Sequence, residues 1–108
     1  MKSLGERIRE LRIANELLLR EVASRLNIDP SLLSRIERSQ KHPTRDQVLK
    51  LAKILKADVT EFLVLYLSEK VLYELKGESL ALRAIQAAEK IIAYEKRKRS
   101  SPKAAMQA

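Results

Sequence analysis

An all-α fold is what this sequence predicts, on three observations. Apolar residues recur at three- and four-residue intervals through most of the 108 residues, the spacing that gathers them on one face of a helix. Only two glycines and three prolines punctuate the chain, so the connections are short. No stretch alternates polar and apolar residues as a half-buried strand does, and there is no tandem repeat.

The first helix is expected from Leu4 to about Ala14. Ser3 and Glu6 stand at the spacing of a capping box, in which the hydroxyl accepts from the amide three residues on and the carboxylate reaches back. Leu4, Ile8 and Leu11 make its core stripe. The second helix covers about Leu19 to Leu26, turns Val22, Ala23 and Leu26 inward, and stops at Asn27, a residue that tolerates left-handed backbone. Ile28 then plugs the core.

Asp29 opens the third helix by capping free amides, and Pro30 suits the first helical position because its missing N–H would have no partner there. Leu33 and Ile36 face inward; Ser31, Ser34, Arg35 and Arg38 stay outside. Ser39 to Pro43 is a polar loop. Thr44 with Gln47 forms a second capping box ahead of a helix carrying Val48, Leu51, Ala52 and Leu55, and Asp58 with Glu61 repeats the device. From Val59 a helix is expected to about Lys76, with Gly77 as its C-cap. A last helix, Glu78 to about Arg99, carries Leu80, Ala84, Ala87, Ile91 and Tyr94 at alternating four- and three-residue steps, the seam of a coiled-coil-like contact. Ser100 to Ala108, with Pro102, reads as a disordered tail. The expected division is therefore residues 1–76, 77–99 and 100–108.

Composition narrows the function. A formal net charge of +8 with a pI near 10.0 attracts polyanions, either nucleic acid or an acidic membrane surface. Without cysteine there are no disulfides, thiolate metal sites or cysteine nucleophiles, as befits a reducing cytoplasm. Charged residues interrupt Met1 to Glu10, so it lacks the apolar core of a secretory signal. The longest apolar run, Phe62 to Leu67, falls far short of the roughly 20 residues that span a bilayer. A soluble, cytoplasmic chain with no membrane partner is the expectation. His42 stands in a polar loop away from any metal-spaced cluster, and Ser31 and Ser34 have no partner base nearby, so neither a metal, a cofactor nor catalysis is expected.

Helix, short turn and helix over Leu19 to Arg38 is a geometry in which the second helix projects while the first braces it across a DNA backbone. The runs REVASRLNIDPSLLSRIERSQKHPT and LKLAKILKADVTEFL resemble the Cro/C1-type, or XRE, family of bacterial and phage regulators, over about Leu4 to Leu63. The resemblance implies a five-helix, lambda-repressor-like DNA-binding domain with recognition helix 29–38 in the major groove of double-stranded DNA. It places Pro30, Ser31 and Arg35 at base edges, with Ser34 nearby. Arg35 leads, since a guanidinium offers two parallel donors to guanine O6 and N7. Arg38, Gln40 and Lys41 fall in the family's phosphate-contacting stretch, and Arg12 with Glu37 is the implied buttressing ion pair between helices one and three.

The chain departs from the family at the start of the second helix. Members commonly place Thr or Ser and then Gln there, for the cap and a phosphate contact, whereas this chain has Leu18 and Leu19. Arg20, one position later, is the candidate replacement. Asn27 and Ser39 stand where glycines are usual.

Several features have plainer readings. Lys50, Lys53 and Lys56 read as solvated surface; His42 as loop packing or a phosphate contact; and Lys96 to Arg99 either as a nucleic-acid contact or as positive charge complementing a helix C-terminus. The stripe at Leu80, Ala84, Ala87, Ile91 and Tyr94 either folds back on its own domain or forms a dimer interface, and the second is preferred because five helices already complete a core. The resulting expectation is a homodimeric, sequence-specific repressor on a pseudo-palindromic operator, of the kind that controls restriction and modification genes. The alternative is an antitoxin or interaction protein whose C-terminal helices bind a partner protein.

Overall fold

A residue in extended backbone opens each of the first four helices, and in three of them its side chain accepts from an otherwise free amide. In the computed structural model, which describes residues 2–100, these are α1 (Leu4–Ala14), α2 (Leu19–Leu26), α3 (Pro30–Glu37) and α4 (Arg45–Ile54), followed by α5 (Val59–Glu74) and α6 (Ala81–Ser100). Among the described residues there is no strand. The all-α expectation holds. The tail expected over 100–108 lies outside the described residues, except that Ser100 closes α6.

Caps explain the boundaries, with two corrections. Thr44 Oγ1 accepts from Gln47 N at 3.2 Å and Gln47 Oε1 accepts from Thr44 N at 2.9 Å, a complete capping box. At α1 only half forms: Ser3 Oγ accepts from Glu6 N at 3.1 Å, while the next free amide, Leu4 N, donates to Glu69 Oε1 of α5 at 2.8 Å. The Asp58–Glu61 box does not form either. Asp58 Oδ1 takes the amide of Thr60 at 2.9 Å, and Glu61 is drawn to Arg7 Nε at 2.6 Å. At α5 a charge-assisted tertiary bond outcompetes a local one of modest strength.

The core lies between α1, α2, α3 and α4 and is closed by α5. Leu4, Ile8, Val22, Leu33, Val48 and Leu51 are buried, with Phe62 of α5 fully enclosed among them. Leu11 and Ile28 pack against this cluster half-buried. Pro43, in the loop before α4, is buried as well. The short turn between α2 and α3 depends on Asn27 at φ 56°, ψ 44°, whose amide donates to α2 carbonyls. Asparagine takes this left-handed region at lower cost than most residues.

One close approach fixes α1 against α3. A Cβ at Gly5 would lie 2.3 Å from the Ile36 carbonyl oxygen and 2.8 Å from that of Glu37, so only glycine lets the α1 backbone reach the end of α3.

The chain divides into two compact units between Tyr73 and Glu74, in the last turn of α5 and ahead of the division expected after residue 76. Gly77 at φ 81° turns the chain beyond α5. Residues 78–80 form a turn closed by Ala81 N on Glu78 O at 3.2 Å, so α6 starts later than expected and Leu80 stands at its edge rather than within it.

Candidate nucleic-acid interface

The α3 surface follows from its packing. With Leu33 and Ile36 buried, helical periodicity turns Pro30, Ser31 and Arg35 outward, and all three are exposed, while Ser34 is half-buried. Arg38, at the C-cap of α3, and Gln40 and Lys41, in the following loop, are exposed. Their backbone is held in place: Gln40 N donates to Arg35 O at 2.8 Å, and Ser39 at φ 61° makes the turn.

The helix N-terminus is tightly ordered. Asp29 Oδ1 accepts from both Ser31 N, at 2.8 Å, and Ser31 Oγ, at 2.6 Å. These bonds, with the nearby charge of Arg35, hold the Asp29 carboxyl below the usual aspartate range. They also commit the Ser31 hydroxyl proton, so Ser31 has only its lone pairs left for an outside donor.

Arg12 and Glu37 lie behind this surface. Arg12 Nε donates to Glu37 Oε2 at 2.7 Å and Nη2 to Oε1 at 3.0 Å, a two-pronged pair, while Nη1 donates to Leu17 O at 3.0 Å. Glu37 is only 6% exposed. The hydrogen bond and charge of Glu37 raise the Arg12 pKa against the opposing effect of burial. The pair ties α1 to the end of α3 and, through Leu17, to the turn ahead of α2.

Leu18 caps α2 without a side-chain acceptor, and only Glu21 Oε1 contributes, accepting from Leu18 N at 3.0 Å. Arg20 is exposed on the first turn of α2. Lys2, Arg9, Arg12, Leu19, Ser34 and Arg38 share one open groove between α1, the start of α2 and the end of α3. The sequence reading passed over Arg9; its position on the polar side of α1, one step from the Ile8 stripe, was the available signal. His42 stacks edge-on against Tyr73 at 6.0 Å between centroids, with Nδ1 3.9 Å from Glu69, which matches the loop-packing reading.

In the second unit Ala84, Ala87, Ile91 and Tyr94 of α6 are exposed, as is Leu80 before it. Among the described residues no group of acidic or histidine side chains is placed to hold a metal, and no helix is long and apolar enough to cross a membrane.

A projecting helix with an exposed polar face, braced by a second across a short turn, defines the class: a helix-turn-helix DNA-binding domain. The helix-turn-helix domain family matches residues 3–65, more than half the chain, and the protein belongs to it, as a DNA-binding regulator of the Cro/C1, or XRE, type. No curated protein matches the sequence. Among solved structures the chain is similar to the clp gene regulator ClgR from Corynebacterium glutamicum, at 25% identity and TM-score 0.53, covering 84% of this chain and 83% of that one. The fold is also shared with a SinR protein/SinI protein complex, at 22% identity and TM-score 0.52, covering 91% and 99%.

Proposed function

We propose that the protein is a cytoplasmic, homodimeric repressor that reads a pseudo-palindromic DNA operator with α3 in the major groove. The observation that carries this reading is the outward α3 surface: Ser31 and Arg35 stand exposed on a helix whose N-terminus is capped and whose C-terminus is pinned by Arg12–Glu37. Arg35 reads guanine through two donors, Ser34 adds a hydrogen bond, Ser31 accepts from a base amino group, and Pro30 offers apolar contact. Arg20, Arg38, Gln40 and Lys41 hold phosphates and set salt-sensitive affinity without choosing sequence.

One such domain touches few base pairs, so useful affinity needs two, on half-sites about 34 Å apart. Ile91 and Tyr94 of α6 and Leu80 just before it, each more than half exposed, supply with Ala84 and Ala87 a self-complementary seam of the kind a two-fold pair uses. The seam is equally available to a different polypeptide, the antitoxin-like reading, and one known relative in fold was solved with a protein partner.

Selection from a random duplex pool tests the reading. The parent should enrich one two-fold-symmetric site, Arg35→Ala should flatten the preference at its bases, and Arg38→Ala should weaken all sequences alike. Sedimentation at micromolar concentration should give twice the chain mass; a monomer, or co-purification of a second polypeptide dependent on residues 77–99, would remove the homodimer.

A further inference from the structure

We propose that Arg9 of α1 is a phosphate-contacting residue, gripping a DNA phosphodiester together with Arg38 across the groove between α1 and the end of α3. The inference deepens the DNA-binding reading and rests on it. Arg9 and Arg38 are both exposed and line the same groove, beside Ser34 of the recognition helix. Arg38 is oriented there by its own Nε, which donates to Ser34 O at 3.3 Å.

The charge of that groove is unevenly spent. Arg12 is neutralised by Glu37, and Lys2 and Arg7 share Glu10. Among the described residues, neither Arg9 nor Arg38 takes part in any of the ion pairs. Both guanidinium groups therefore keep their charge for an outside anion, and Arg38, with Nε on Ser34 O, still has its terminal N–H groups to offer; a guanidinium meets a phosphate through parallel N–H donors. Glu6, the one groove carboxylate without an ion pair among the described residues, opposes this.

The groove also opens on the start of α2, where Leu18 and Leu19 bring no polar side chain to a passing phosphate. Arg9 reaches the same region from α1. The clamp thus supplies from a different helix the backbone anchoring that the α2 start lacks, and it holds the register of Ser34 and Arg35 against the bases without reading sequence.

The test is the salt dependence of binding to a duplex of arbitrary sequence, measured for the parent, Arg9→Ala, Arg9→Lys and Lys53→Ala, with thermal unfolding checked for each. Losing one phosphate contact should lower the slope of log affinity against log salt by about 0.9 for each copy bound. Arg9→Ala should show that drop, Arg9→Lys should restore most of the parent slope, and Lys53→Ala, which removes the same charge from exposed α4, should leave it unchanged. Glu6→Gln should tighten binding. An Arg9→Ala slope equal to the parent's, or an equal drop in Lys53→Ala, overturns the clamp. Because the probe duplex carries no operator, a parent that binds it with an Arg9-dependent slope yet selects no site would sink the sequence-reading function and leave the clamp standing; a parent that binds no duplex overturns both.

Discussion

Arg12 and Glu37 show how much one pair of side chains can carry. Removing Arg12 would strand a carboxylate that is 6% exposed, and uncompensated buried charge is far costlier than a lost surface pair. Arg12→Ala should lower stability by about 3 kcal/mol in urea unfolding; a loss below about 1 kcal/mol would place Glu37 in water instead. Asp29 makes a pH-dependent contribution of the opposite exposure. Its folded-state pKa lies below the ordinary value because Ser31 donates to it twice, so the cap's contribution is complete above the usual carboxylate range and is lost as pH falls through the depressed value. A carbon-detected titration should put Asp29 below the ordinary aspartate range, and Ser31→Ala, which removes the hydroxyl bond and keeps the amide one, should bring it part of the way back up. An unshifted midpoint in the parent would contradict the cap. The Asp29 cap was legible from sequence because both partners are local; Glu69 on the Leu4 amide was not, since 65 residues separate them.

Helices meet in this fold at points that tolerate no spare atom. Gly5 is such a point, and Gly5→Ala would thrust a methyl group into the Ile36 and Glu37 carbonyls. The expected cost is about 1–3 kcal/mol, with operator affinity falling further than stability alone explains, because α3 must shift to make room. A variant as stable and as tight-binding as the parent would refute the contact. The first four helices were readable because each has a single apolar face and three of them a local start signal. α5 was harder: its apolar residues run all round, so periodicity named no inner face and Phe62 drew no notice as the core's closing side chain. The same uniformity leaves Val64, Leu67 and Val71 exposed on the far side of a helix that closes the core with Phe62. The start of α6 was misread because Glu78, Ser79 and Leu80 suit a helix by composition, yet the chain leaving Gly77 closes a turn first.

At the scale of the whole molecule, a basic chain of +8 is drawn to DNA through charge, and in the proposed function it is left to α3 to distinguish one sequence from another. What this division demands is that guanine be read from the major groove by Arg35. Dimethyl sulfate interference tests it directly, since the reagent methylates guanine N7 in the major groove and adenine N3 in the minor groove. On the selected operator, methylation of one or two guanines in each half-site should abolish binding by the parent, and Arg35→Ala should lose sensitivity at those guanines while keeping its phosphate contacts. Interference confined to adenines, or an Arg35→Ala pattern identical to the parent's, would contradict the account.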